Sequence, residues 1–403
     1  MSLDARLQPR LQALAAQELY RRRRVIDGSH GVEIQVDGRR CINFCSNDYL
    51  GLAADPRLAA ASQSAARNCG TGSGAAALVS GYNREHQQLE AALADYVGRP
   101  RALLFSSGWA ANLGVIRALL DRDSTLIADE LNHASLIDGG RLSGARYERV
   151  AHAQIDAYAR ALAGLNPGAS SKAPLPALVA TDSVFSMDGD LAPIASLHAL
   201  CQQHQVPLLV DDAHGFGVLA DPAARIPVQN SIYVATLGKA LGGSGAFVAG
   251  SEALIEYLIQ RGRTWVFSTA PPPAAAAAAL AALQILRGQP EMQAQLQQNI
   301  ARFRAGALQL GLPLAAGLAA DDAPLTPIQP LMVGDPAAAV QISNALMDRG
   351  YWVAAIRPPT VPQGTSRLRI TLSAAHSDAQ IDALLEALAT LFQAHRAAGV
   401  AAC

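Results

Sequence analysis

From about residue 85 onward, short apolar runs alternate with stretches of helical period. The runs at 101–105, 124–129, 177–182, 207–210, 231–236 and 245–249 are mostly aliphatic and read as buried strands. Between the early ones, 112–120 and 194–204 read as helices. Such alternation predicts an α/β fold, with a mostly parallel, doubly wound sheet and helices on both faces. Residues 1–27 read as a helical arm (Leu7, Leu11, Leu14, Leu19), and 31–44 alternate as a hairpin around Asp37-Gly38. Residues 274–310 are helical. The segments 328–333, 336–349, 352–356, 367–372 and 377–396 then follow a β-α-β-β-α order, a small α+β domain. The expected division is an arm and hairpin at 1–45, a large sheet domain at 46–290 and a C-terminal α+β domain at 291–403.

Composition narrows the partners. The chain has 403 residues, half of them hydrophobic, and a formal net charge of -1. That length suits a large core, and that charge gives no reason to expect nucleic acid. The basic run Arg21 to Arg24 reads as a solvated helix end that could lend an arginine to an anionic substrate. Five scattered cysteines (Cys41, Cys45, Cys69, Cys201, Cys403) show no zinc-ligand spacing, so no metal is expected and a reduced cytoplasm fits. The N-terminus lacks the apolar core of a signal peptide. The longest apolar run, 271–283, is alanine behind three prolines. It reads as a packed helix and not a membrane span.

In open α/β sheets, ligands sit beyond the carboxyl ends of the strands. The run 231–236 delivers Lys239 into glycine and alanine, a setting that lets a flat ring approach and favours the neutral, nucleophilic amine. A surface lysine at a helix start is the plainer alternative. After 207–210 come Asp211 and His214, an acid and an imidazole for one crevice. A metal pair would want a third ligand at matching spacing. After 101–105, Ser106-Ser107-Gly108-Trp109 opens a helix whose free N–H groups favour a phosphate, although a serine cap needs no ligand. His133 follows 124–129 and could stack on an aromatic cofactor or be an ordinary loop histidine. Ser186 follows 177–182, beside an Asp-Gly turn. Thr236 offers a hydroxyl. Together these strand ends supply what pyridoxal 5'-phosphate (PLP) requires: an anchored phosphate, a sandwiched ring, a protonated pyridine nitrogen and an amine. Gly70 to Ala75 fits G-x-G-x-x-A with Glu90 twenty residues on, but 59–68 reads as a helix. A dinucleotide fingerprint would follow a strand, so the segment reads as a glycine-rich loop.

Motifs running almost end to end carry a resemblance. They are Ser46-Asn47-Asp48-Tyr49-Leu50-Gly51-Leu52, Gly70 to Gly74 with Val79-Ser80-Gly81, His86-Gln87-Gln88-Leu89-Glu90, Phe185-Ser186-Met187-Asp188-Gly189-Asp190, Val210-Asp211-Asp212-Ala213-His214-Gly215, Thr236-Leu237-Gly238-Lys239, Phe267-Ser268-Thr269, Pro359-Thr360-Val361-Pro362 and Arg367-Leu368-Arg369. On these residues the chain resembles the α-oxoamine synthases, PLP enzymes of the aspartate-aminotransferase-like fold type I. The resemblance implies a covalent link from Lys239 to the cofactor, with Asp211 on its pyridine nitrogen. His214 and Ser186 would lie near its 3-oxygen, and His133 over the ring, where it would also polarise the thioester carbonyl. Gly108, Trp109 and Thr236 would hold the phosphate. Ser268 and Thr269 would reach the cofactor of a neighbouring subunit, hence a homodimer with shared sites. Arg21, Asn47, Thr360 and Arg369 would bind substrate, with Arg369 on the amino-acid carboxylate. The segments from Ala355 to Thr365 and Leu372 to His376 resemble most the branch that condenses L-alanine with a pimeloyl thioester (pimeloyl-CoA or pimeloyl-acyl carrier protein) on the way to biotin. Branches that use glycine are the alternative. Trp109 stands where the family usually has Phe or Tyr, and Asp182 where glutamate is common.

Overall fold

The computed structural model describes residues 2–17, 19–165, 174–318 and 325–401; Cys403 lies outside them. The chain forms two compact units, one of Leu50–Ser186 and Asp190–Gln293, the other of Met1–Tyr49, Met187–Gly189 and Ala294–Cys403. The arm and hairpin therefore group with the C-terminal segment instead of standing apart.

The first unit is built on seven strands in the order Arg101–Phe105, Ala246–Gly250, Ser231–Thr236, Leu208–Asp211, Ala177–Asp182, Thr125–Asp129 and Arg146–Val150. All neighbours pair in parallel except Ala246–Gly250, which runs against both of its own. The central strands are buried end to end, as expected of a sheet covered on both faces. Helix Gly108–Leu119 packs Ala111, Val115, Ile116 and Leu119 into the same core as Leu126, Leu178, Leu209, Val234 and Val248. Register sets Asp182 beside Asp211, Asp211 beside Val234, and Ala246 between Phe105 and Thr236. The carboxyl ends of the parallel strands thus finish along one edge.

In the second unit, strands Glu33–Val36 and Arg39–Asn43 form the hairpin, with Asp37 (φ 49°) and Gly38 (φ 77°) in left-handed backbone at the turn. Its second strand also pairs in parallel with Tyr351–Trp352. A separate antiparallel sheet holds Ile328–Gly334, Ser366–Thr371 and Ala354–Ile356, with Ser366–Thr371 in the centre. Helices Pro336–Asp348 and Asp378–Ala401 accompany it.

Several expectations need correction. The first helix runs only Leu3–Ala16, so Arg21 to Arg24 lie beyond it and are not a helix end. The single helix expected at 274–310 is two, Pro273–Gly288 and Glu291–Gln309, broken at Gln289-Pro290 because proline cannot continue the ladder. Strand Arg146–Val150 was not foreseen. It is an edge strand with charged, exposed positions and lacks the apolar run of its neighbours. The glycine-rich loop from Gly70 follows helix Pro56–Cys69, the wrong context for a dinucleotide fingerprint. Among the described residues no helix is long and apolar enough to cross a membrane, and no cluster of His, Cys, Asp or Glu could hold a metal.

Candidate functional site

The expected residues fall into two groups, one in each unit. In the sheet unit, Asp211 ends its strand and is buried at 5 % exposure. Its Oδ1 accepts from the Ala213 backbone N–H at 3.0 Å and its Oδ2 from Asn112 Nδ2 at 2.7 Å. Both donors are neutral amide N–H groups, so neither brings a formal positive charge to the carboxylate. His214 is buried three residues on. The turn that carries them needs glycine at 215, just after His214, because a Cβ there would meet Asp212 Oδ1 at 2.2 Å. Asp212 is wholly buried and fixed by Ser183, Tyr233 and Arg225, which holds the base of that turn.

Lys239 lies not on a helix but in the turn that joins Ser231–Thr236 to its antiparallel neighbour. The turn is pinned by Leu237 N to Gly245 O and Gly243 N to Leu237 O, both 2.9 Å. Gly242 (φ 61°) is required there, since a Cβ would meet Ala53 N at 2.3 Å. Lys239 is half-buried, and its Nζ donates to Thr236 Oγ1 at 3.2 Å. Nearby, Ser107 caps helix Gly108–Leu119, and the first residue of that helix comes so close to Thr236 that a Cβ on Gly108 would lie 2.8 Å from Thr236 Cγ2. The helix N-terminus, Gly108, Trp109 and Thr236 therefore form a cradle suited to an anion.

His133 caps the helix Ala134–Ser143. Its backbone N–H donates to Asp182 Oδ2 at 2.8 Å, and Trp109 meets its ring edge-on at 6.4 Å between centroids. Burial lowers its pKa; the Asp211 carboxylate opposes that and the Lys239 ammonium adds to it. Asp182, the residue that departs from the usual glutamate, anchors the His133 backbone. Burial and then the Asp211 charge push its own carboxyl well above the usual range. Behind the His133 loop, His152 Nδ1 lies 3.0 Å from Asp129 Oδ1 and its Nε2 lies 2.6 Å from Asp190 Oδ2. Its ring meets Phe185 edge-on, just before the half-buried Ser186.

Ser268 and Thr269 follow Phe267, which is 71 % exposed. Ser268 Oγ donates to the Thr264 carbonyl. The second unit holds the others. Arg369, buried in the central strand Ser366–Thr371, donates from both terminal nitrogens to Asn47 Oδ1 at 3.3 Å. Arg21 donates to Thr360 Oγ1 at 3.0 Å, on an exposed surface.

Sequence reasoning missed Asn112, Ser135, His152 and the Asp212 network. Asn112 had left a trace, a polar residue one turn into a helix that is apolar up to Arg117 in its last turn. The donor set fits PLP: an amine, a buried carboxylate, an imidazole with a partnering indole, and a cradle that a single Cβ would fill.

The aminotransferase class I and II family model matches residues 39–388. The 8-amino-7-oxononanoate synthase of Thioalkalivibrio sulfidiphilus is 52 % identical over 389 residues, 95 % of this chain and 96 % of its own. A solved 8-amino-7-oxononanoate synthase from Francisella tularensis superposes with a TM-score of 0.73 at 32 % identity, covering 88 % of this chain and 99 % of its own. A lysine-to-alanine variant of serine palmitoyltransferase from S. paucimobilis, with bound PLP-myriocin aldimine, gives 0.89 at 27 % identity over 99 % and 100 %.

Proposed function

The chain belongs to the aminotransferase class I and II family and, within it, to the PLP-dependent 8-amino-7-oxononanoate synthases, and on that premise we propose that it condenses L-alanine with a pimeloyl thioester to give 8-amino-7-oxononanoate, CO2 and the free thiol in biotin biosynthesis. The observation that carries the reading is the buried Asp211 carboxylate, held by neutral donors one strand away from the strand that delivers Lys239.

PLP, when bound, supplies an electron sink for the amino acid's Cα. Lys239 is the residue to hold it covalently, and its amine, once free, takes the Cα proton and later returns one. Asp211 keeps a proton on the ring nitrogen by pairing with it. The helix N-terminus at Gly108 and Trp109, with Thr236, holds the phosphate. His214 and Ser186 orient the 3-oxygen side. His133 covers the ring and polarises the thioester carbonyl. Arg369 takes the alanine carboxylate, a planar partner suited to its fork, while Asn47, Thr360 and Arg21 serve the rest of the substrates. The thioester carrier is coenzyme A or acyl carrier protein, and the compartment is the cytoplasm. The assembly is a homodimer in which Ser268 and Thr269 reach the partner's cofactor. Phe267 and Val79, 71 % and 79 % exposed, support that reading, because they leave apolar surface for a second copy to cover.

The test is the absorbance of the purified holoenzyme. Alanine, and not glycine, should shift the visible-edge band, and pimeloyl thioester should then raise a new longer-wavelength band as product forms. Lys239→Ala should remove the resting band and turnover. Turnover with glycine and an acetyl or succinyl thioester, but not with alanine, would overturn the substrate assignment.

A further inference from the structure

The hydrogen bonds between Asp211 and His133 have a fixed direction. An ionised carboxylate only accepts, so the Asn112 atom 2.7 Å from Asp211 Oδ2 is the amide nitrogen. That nitrogen carries a second hydrogen, and Ser135 Oγ lies 2.8 Å from it. A hydroxyl that accepts there keeps its own hydrogen for another acceptor. His133 Nδ1 is 2.8 Å from Ser135 Oγ, and the Ser135 backbone N–H also reaches Nδ1, at 3.3 Å. Two donors converge on Nδ1, which must therefore present a lone pair. We infer that Asn112 and Ser135 are positioning residues that hold His133 as the neutral Nε2–H tautomer, so that in acyl transfer it acts as a hydrogen-bond donor and not as a proton-delivering imidazolium.

The site is built for this. Asn112 and Ser135 are wholly buried, so their bonds cannot be exchanged for water. Charging the ring would place a hydrogen on Nδ1 facing both donors. The Ser135 hydroxyl could turn away; its backbone N–H, set in the first turn of helix Ala134–Ser143, could not. The charged and titratable groups about the ring are Asp211, Lys239 and Asp182, and burial outweighs them in the direction of neutrality. A neutral imidazole is too weak an acid to give up its Nε2 proton, but it is a good donor to a developing oxyanion.

The inference rests on the PLP reading of this pocket, yet its main readout does not. With histidine ring nitrogens labelled with 15N, two-bond correlations report which nitrogen of His133 carries hydrogen, in the holoenzyme and in the chain freed of cofactor alike. The hydrogen should stay on Nε2 from about pH 6 to 8, where a free histidine titrates. Ser135→Ala removes one of the two donors and keeps the backbone N–H, so it should leave Nε2–H the major tautomer, raise the pH at which the ring charges and lower kcat roughly fivefold with KM for the amino acid nearly unchanged, the rate equivalent of one hydrogen bond. Ser135→Thr should restore both. Hydrogen on Nδ1, or on both nitrogens, in the unaltered protein would overturn the inference. So would a Ser135→Ala spectrum and kcat that do not move. Should that variant fail to fold, the unaltered protein's spectrum decides alone.

Discussion

Replacing His152 with glutamine tests how the loop that carries His133 is fastened. His152 bridges Asp129, at the end of Thr125–Asp129, and Asp190, in the loop that carries Ser186. Burial opposes charging of the ring, but the hydrogen bonds and charges of the two carboxylates outweigh it and raise the pKa from 6.5 to about 10. At about 1.36 kcal/mol per unit, the full displacement would amount to at most ~5 kcal/mol. The side chain is 24 % exposed, so solvent screening cuts this to about 2 kcal/mol. The sign follows from the raised value. The stability is fully present below the unfolded pKa near 6.5 and is lost as pH rises through about 10. Urea unfolding of wild type and His152→Gln, at fixed protein and PLP concentration, should therefore show a gap of about 2 kcal/mol near pH 6 that closes toward pH 10. A gap that stays constant across that range would refute the charged-bridge account and leave only packing against Phe185.

Two further outcomes follow from geometry. Gly108→Ala should weaken PLP binding roughly tenfold or more, since the new Cβ would lie 2.8 Å from Thr236 Cγ2, and this is measured by titrating PLP into the apoprotein. Asp211→Asn should slow solvent deuterium exchange at alanine Cα by on the order of a thousandfold, the rate equivalent of breaking a buried charge pair.

The strand–helix alternation was legible because buried parallel strands are continuous apolar runs. Arg146–Val150 escaped because an edge strand carries charge where its neighbours carry leucine. The arm misled in the opposite way. Leu7, Leu11 and Leu14 keep helical period, yet all are exposed and the helix stops at Ala16 before Leu19. Lys239, Asp211, His214 and His133 could be singled out as candidates because each stands at or just after the end of a strand. Asn112 and His152 were not, because their contacts join residues 99 and 38 positions apart, and no local period encodes such a pairing.

The antiparallel strand Ala246–Gly250 separates Lys239 from the other groups of the pocket in one respect. His133 and Ser186 stand on excursions that leave the sheet for a helix, and Asp211 stands where such an excursion begins; these excursions can lengthen without disturbing the strands. Lys239 stands instead on a short return between hydrogen-bonded neighbours, clasped at Leu237 and Gly245. If a residue added there slipped Ala246–Gly250 by one against its neighbours, Phe247 and Val248 would exchange faces of the sheet. Descendants of this fold are thus free to remodel the walls of the pocket by insertion, while the spacing from Thr236 to Gly245 is held to a fixed length.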